Sequence, residues 1–198
     1  TDIRTTVVKI TTENGARSMG RPQGNYITIE SESLSIADEG YHSEISGEIS
    51  KHLKRLLNME KEKSVLVVGL GNERITADSL GPGVINNLHM TRHLIKEYGL
   101  KKDGENSLYE VSGIIPGVMA QTGMETSEII EGVVAMTKPD VVIAIDALAA
   151  RSTRRLNRTI QITDTGINPG SGVGNHRIGL SRENLHVKVI GIGVPTVV

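Results

Sequence analysis

The chain has 198 residues, a formal net charge of −1 and no cysteine. This length suits a single domain, and the near-neutral charge gives no reason to expect nucleic-acid or membrane binding. The absence of cysteine excludes disulfides, thiolate catalysis and cysteine-based zinc sites, and it fits a reducing, cytoplasmic compartment. No stretch approaches the ~18 apolar residues that span a bilayer, and the beginning of the chain lacks the apolar segment of a secretory signal.

The predicted elements alternate between strands and helices. Residues 1–40 predict a β-hairpin with a long loop. The later elements, in chain order, are an amphipathic helix (43–58), a buried strand (64–72), a loop (78–83), a helix (84–98), a strand and turn (107–117), a helix (126–137), a buried strand (140–148), an edge or antiparallel strand (158–164), a glycine-rich loop (168–175) and a final buried strand (187–194). This alternation predicts a single α/β domain over 1–198, a three-layer sandwich with a mainly parallel sheet.

Both ends of the chain look cut. It begins at Thr1 rather than Met and stops at Val198, inside an apolar run, whereas a natural terminus is usually polar and loosely held. We therefore expect further residues beyond the C-terminus and some before the N-terminus. A short natural C-terminal strand is the alternative.

Asp78 follows the first predicted buried strand and precedes a predicted helix. Catalytic groups in open α/β sheets lie at the carboxyl ends of strands, so Asp78 is a candidate catalytic residue. Capping of the following helix explains it equally well. The Gly69 and Gly71 pair does not indicate a dinucleotide site, because Arg74 occupies the third glycine position of that fingerprint.

Asp146 directly follows five apolar residues, 141–145. A carboxylate at the end of such a strand is costly to bury unless it is paired or used. This favours a functional Asp146 over one that only binds loop amides. If the strands before Asp78 and Asp146 are neighbours, the two carboxylates converge. One then keeps a proton and acts as a general acid, while the other activates water.

A pair of carboxylates is also able to bind a divalent cation, so the pair alone leaves a metal site open. The one zinc-like spacing is His89 and His93, four apart on the predicted helix 84–98. It lacks the Glu of the HExxH motif. We expect no catalytic metal and no cofactor.

The glycine-rich loop is a candidate substrate-binding segment. Backbone amides around Gly170 and Ser171 would bind a substrate carbonyl or an oxyanion, and His176 is a candidate for substrate contact. An ordinary surface loop is an equal alternative. Ser171 is not expected to be a nucleophile, because its neighbours do not fit the strand–elbow–helix pattern.

A basic cluster follows Asp146. Its four members lie within eight residues and have no acid among them: Arg151, Arg154, Arg155 and Arg158. Such a cluster predicts attraction of an acidic substrate, with Arg151 and Arg154 as candidate contacts, or pairing with acids of another subunit. A solvated loop is the plain alternative.

Four segments together resemble one family. VVGLGNERITADSLGP, SGIIPGVMAQTGMET, KPDVVIAIDALAARSTRRLNRTIQITDTGI and NPGSGVGNHR are similar to germination proteases, the spore enzymes that degrade small acid-soluble spore proteins. The resemblance covers nearly the whole chain, and the DALAARSTRR and PGSGVGN strings are specific.

The resemblance implies an atypical aspartic endopeptidase with a fold similar to hydrogenase maturation proteases. Its catalytic aspartates carry over to Asp78, in ADSLGP, and Asp146, in AIDALAAR. It further implies a zymogen that removes its own propeptide, a homotetramer in the spore core, and cleavage of small acid-soluble spore proteins at an acidic-flanked site. Family members continue well past the end of this chain, which leaves the activity of the chain alone in doubt.

Three other readings stay open at this point. The first is a metal-dependent peptidase of the hydrogenase maturation type, with Asn168 or His176 as the third ligand. The second is a protease-like core that binds partners without cutting them. The third is a nucleoside phosphorylase-like enzyme, whose phosphate would have to bind in the glycine-rich loop.

Overall fold

The structure is a computed structural model that describes residues 2–35, 39–58, 64–99, 109–150, 152–168 and 178–198. In these residues the strands β1 to β7 are Arg4–Ile10, Gly24–Glu30, Ser64–Gly69, Glu110–Ile114, Val141–Ala149, Thr159–Thr163 and Lys188–Val197. The helices α1 to α7 are Glu13–Met19, Glu39–Leu56, Leu80–Asn87, Arg92–Tyr98, Met119–Thr122, Thr126–Thr137 and Arg182–Leu185. Short 3-10 turns are formed by Glu32–Ser35, Thr76–Asp78 and Thr153–Arg155.

The strands form one seven-stranded sheet in the order β1-β2-β6-β7-β5-β3-β4. The pairs β4–β3, β3–β5 and β5–β7 are parallel, whereas β7–β6, β6–β2 and β2–β1 are antiparallel. Only β1 and β6 therefore run against the other strands, so the predicted mainly parallel α/β sheet is confirmed. The predicted antiparallel strand, β6, lies between β2 and β7 rather than at an edge.

Helices cover both faces of the sheet, which gives the predicted three layers. On one face, Ile45 of α2 packs with buried isoleucines and valines of β2, β3, β5, β6 and β7, and α3 adds Val84 and Ile85. On the other face, Ile130 of α6 packs with Leu66, Val142 and other buried residues of β3, β5 and β7. Aliphatic side chains on both faces explain the near-continuous apolar runs of β3 and β5.

The predicted N-terminal hairpin is present as β1 and β2, but its loop contains α1, which the sequence analysis missed. The hydroxyl of Thr12 accepts a hydrogen bond from the Gly15 amide at 3.1 Å, and Gly20 ends the helix with a φ of 60°. These are ordinary start and stop signals for a helix. They were overlooked because α1 has no buried residue and hence no apolar stripe.

The prediction of one helix over 84–98 is wrong, because the chain leaves the helical path between α3 and α4. Thr91 is bound to β4 at this break: its amide donates to the Val111 carbonyl at 3.0 Å, and its hydroxyl accepts from the Val111 amide at 2.9 Å. His89 lies in the break and His93 lies on α4, so the two histidines do not share one helix. None of the helices in the described part of the chain has the length and apolar character of a transmembrane span.

Candidate active site

A groove of about 1000 Å³ lies at the carboxyl ends of β3, β5 and β7 and continues over β6 and β2. Asp78 and Asp146 both line it. It lies on the same face of the sheet as α6, which covers that face nearer the amino ends of the parallel strands. Ligand sites in open α/β sheets usually lie at the carboxyl ends of the strands.

Asp146 closes the buried stretch of β5 and is 5% exposed. It lies in register with Gly193 of β7, which in turn pairs with Gln161 of β6, and Gln161 pairs with Thr28 of β2. Residues in register across a sheet share a face, and all four of these residues line the groove. The floor beside Asp146 is therefore small and polar.

Asp78 is positioned by the 3-10 turn Thr76–Asp78 between β3 and α3. One carboxylate oxygen, Oδ2, accepts a hydrogen bond from the Asn72 amide at 2.8 Å. The chain passes very close to Asp78 at Gly71, whose φ is 114°. A Cβ atom at Gly71 would lie 2.0 Å from the Asp78 carbonyl oxygen and 3.0 Å from its Oδ1. A glycine is thus required for this placement of the Asp78 side chain.

The strands that lead to the two aspartates are adjacent. Gly69 of β3 pairs with Ile145 of β5, and the Leu70 amide donates to the Ile145 carbonyl at 2.8 Å. Asp146 therefore lies beside Leu70, and Asp78 folds back onto the next residue, Gly71. The start of α3 is packed directly on both strand ends, since a Cβ atom at Gly81 would lie 2.3 Å from the Leu70 carbonyl oxygen and 2.6 Å from that of Ile145.

The one predicted substrate contact that the structure describes, Arg154, lies outside the groove that Asp78 and Asp146 line. Arg154 borders a separate shallow depression with Ser35 and Leu156, whereas its neighbour Arg155 lines the groove. The Arg155 Nε atom is 3.8 Å from Glu30 Oε1. The other predicted substrate contacts, Arg151, Gly170, Ser171 and His176, lie outside the described residues, so their roles stay predictions.

Some residues that line the groove were missed by sequence analysis. Thr28 and Gln161 occupy the groove-facing positions of strands whose other face is apolar, so their alternation was visible but had no assigned purpose. Thr126, at the first position of α6, is only 6% exposed and also lines the groove. In the sequence, the only indication of this position is that Thr126 is a polar residue at the start of the apolar stripe of the helix.

Within the described residues, no group of three or more His, Cys, Asp or Glu side chains is placed to hold a metal ion. Asn168 does line the groove together with the two aspartates. A metal held here by described residues would thus have at most two carboxylates and an amide oxygen, a donor set that suits a hard cation better than zinc.

These features define a class: an α/β sandwich with two carboxylates at adjacent strand ends in an open cleft. The sequence profile of the germination protease family matches residues 1–198, and the chain belongs to that family. It is 50% identical over 196 residues to a germination protease of Caldanaerobacter subterraneus, covering 99% of this chain and 60% of that one. A germination protease of Geobacillus sp. is 52% identical over 191 residues, covering 94% of this chain and 50% of the relative.

The chain thus spans between half and three fifths of the length of these relatives. Among solved structures, a [NiFe] hydrogenase maturation protease, HycI from Thermococcus kodakarensis, has a TM-score of 0.40 and 21% identity. That match covers 68% of this chain and 75% of the other.

Proposed function

We propose that this chain carries the catalytic site of an endopeptidase that initiates degradation of small acid-soluble spore proteins during germination. The observation that carries the proposal is that Asp78 and Asp146 line one groove from adjacent strand ends. Membership of the germination protease family supports the peptidase activity and the role in germination.

In the proposed mechanism, Asp78 and Asp146 share one proton. The ionised carboxylate removes a proton from a water molecule, whose oxygen bonds to the scissile carbonyl carbon. The protonated carboxyl group donates its proton to the carbonyl oxygen. As the C–N bond breaks, the proton taken from water passes to the leaving nitrogen, and the carbonyl oxygen returns its proton to the carboxylate that supplied it. The hydrogen bond from the Asn72 amide fixes one oxygen of Asp78 during these steps.

The groove has the form needed for an extended peptide. The row Asp146, Gly193, Gln161 and Thr28 crosses four adjacent strands. At roughly 4.8 Å between strands it is about 14 Å long, which accommodates about four residues of extended chain. The Leu148 side chain covers Gly193, since a Cβ atom there would lie 2.4 Å from Leu148 Cδ1, so a bound peptide would pass over Leu148 on its way to Gln161 and Thr28.

The cleavage assay tests this function. The complete protein and its Asp78→Asn and Asp146→Asn variants are incubated with a purified small acid-soluble spore protein, and the products are followed by mass spectrometry. Asp140→Asn is the matched control, because Asp140 lies at the opposite end of β5 and its Oδ2 accepts from the Ser64 amide. We expect both site variants to lose cleavage while the control retains it. Cleavage by either folded site variant contradicts the assignment.

A metal-dependent peptidase is the second candidate, favoured by the presence of Asn168 on the same groove as the two aspartates. Elemental analysis of the purified protein and cleavage after chelator treatment separate the two. The aspartate mechanism predicts undiminished cleavage without bound metal. One tightly bound cation whose removal abolishes cleavage would establish the alternative.

The family resemblance leads us to propose that the whole protein is a homotetramer of the spore core made as a zymogen. Light scattering of the complete protein measures the first property, and its N-terminal sequence before and after activation measures the second. Assaying the 198-residue chain beside the complete protein shows whether this chain cuts or only binds.

A further inference from the structure

The first turn of α6 lies at the groove. The helix ends at Thr137, directly before β5, and the Asp140 amide donates to the Ser64 carbonyl at 2.9 Å at the amino ends of β5 and β3. The helix therefore runs back along the sheet, against the direction of the parallel strands. Its first residue, Thr126, reaches the carboxyl edge where Asp146 lies.

The spacing along α6 carries Thr126 towards the end of the sheet where Asp146 lies. Thr126 and the fully buried Ile130 are four residues apart and so share the sheet-facing side of the helix. Ile130 packs in one cluster with Ala144 of β5. The distance along the helix axis from Ile130 to Thr126 is about 6 Å. The distance along β5 from Ala144 to Asp146, which face the same side of the sheet, is about 6.6 Å. Both steps lead towards the carboxyl edge of the sheet, where the groove lies.

The Thr126 hydroxyl is available to a ligand. Thr126 is 6% exposed and lines the groove, and within the described part of the chain its hydroxyl has no hydrogen-bond partner. Because no described residue accepts from this hydroxyl, a group that enters the groove is able to accept from it without displacing a protein contact. The first turn of α6 is already capped by acidic residues: the Glu125 amide donates to Glu128 Oε2 at 2.8 Å. The Thr126 hydroxyl, rather than the helix amides, is therefore the donor that the groove offers here.

We infer that Thr126 is a third catalytic group of this groove, which donates a hydrogen bond to the oxygen of the scissile carbonyl as negative charge develops on it. This inference rests on the proposed peptidase function. When water adds to the carbonyl carbon, the electron pair of the C=O π bond moves to the oxygen. The protonated aspartate supplies its proton to that oxygen, while Thr126 keeps its own proton throughout and donates a hydrogen bond to the oxygen as the charge develops.

The test is the kinetics of Thr126→Val, which removes the hydroxyl at nearly constant volume, in the complete protein. Loss of one oxyanion donor lowers kcat by about 10²–10³-fold when the donor is well aligned. We expect kcat to fall by at least about 10-fold with KM nearly unchanged, and Thr126→Ser to retain kcat within about threefold. Ser127→Ala is the matched control, because Ser127 Oγ is also buried without a partner but does not line the groove.

A second measurement separates catalysis from packing. The affinity of a phosphinic peptide, whose tetrahedral P–O group mimics the oxyanion, should fall in Thr126→Val by the same factor as kcat/KM, while a product peptide binds unchanged. If Thr126→Val does not fold, Thr126→Ala removes the same hydroxyl and is measured in its place. Wild-type kcat or unchanged phosphinate affinity in the folded variant overturns the inference.

These outcomes are distinct from failure of the proposed function. If Asp78→Asn and Asp146→Asn abolish cleavage while Thr126→Val is fully active, the aspartate mechanism stands and the role of Thr126 is refuted. If the aspartate variants still cleave, the proposed function itself is refuted.

Discussion

Gly71→Ala should damage the site through Asp78 while leaving the fold intact. At Gly71 the φ of 114° is unfavourable for any residue with a Cβ atom, and that atom would lie 2.0 Å from the Asp78 carbonyl oxygen. Backbone strain of about 1–3 kcal/mol and overpacking of about 1–3 kcal/mol are expected together. A domain with a stability of about 10 kcal/mol, in the middle of the usual range, remains folded after such a loss.

The effect on activity should be larger than the effect on folding. Relief of the contact requires Asp78 to move away from Gly71, and this displaces the carboxylate that the Asn72 amide binds at 2.8 Å. A misplacement of about 1 Å costs on the order of 100-fold in rate. We therefore expect kcat/KM to fall by about 100-fold, with a fall of about 2–6 kcal/mol in the free energy of unfolding.

Gly99→Ala provides the matched control for this experiment. Gly99 also has a positive φ, 60°, but a Cβ atom there would meet nothing within 4 Å. It should lower stability by only about 1–2 kcal/mol and leave cleavage unchanged. Urea unfolding measures stability, and cleavage of a purified spore protein measures activity. Wild-type activity in Gly71→Ala would refute the claim that this close approach positions Asp78.

Two further predictions concern contacts outside the site. Asp164→Ala should destabilise the protein by about 1–3 kcal/mol, because the Asp164 carboxylate accepts hydrogen bonds from the backbone amide of Asn25 at 2.7 Å and from the side-chain amide of Asn25 at 2.5 Å. Urea unfolding measures this loss, and an unchanged midpoint refutes the prediction. The pKa of Glu48 is lowered by its hydrogen bonds, first from Lys51 and also from Thr5 and His52. Its stabilising effect is therefore present above the pKa of an unfolded Glu and is lost as the pH falls through the lowered value. Glu48→Gln should thus be less stable at pH 7, by about 1 kcal/mol, and the difference should shrink steadily below about pH 4. A difference that persists at pH 2 would contradict it.

The strong apolar patterns predicted much of the fold. Strand β5 and helix α6 were found from continuous and 3.6-residue patterns, and α6 was predicted with the bounds that the structure gives. The break between α3 and α4 was missed because it depends on hydrogen bonds that Thr91 and Val111, twenty positions apart, exchange with each other. The interior position of β6 was missed because its polar face is turned to a groove, and alternation alone does not distinguish a groove from bulk solvent.

Only part of the candidate site was predictable from the sequence. A carboxylate after a buried strand is visible in sequence, so Asp78 and Asp146 were both candidates. Which of two adjacent arginines lines the groove was not visible, since Arg154 and Arg155 share one short turn and differ only in direction. Thr126 was hidden because its proximity to Asp146 depends on how α6 packs against β5.

The most direct test of the central claim is a crystal structure of the complete protein with an uncleavable phosphinic peptide. If the two aspartates act together, the tetrahedral group will lie between Asp78 and Asp146, with an oxygen about 2.6–3.2 Å from a carboxylate oxygen of each. The peptide should extend from there over Leu148 towards Gln161 and Thr28. A peptide bound with its tetrahedral group out of reach of either carboxylate would contradict the account.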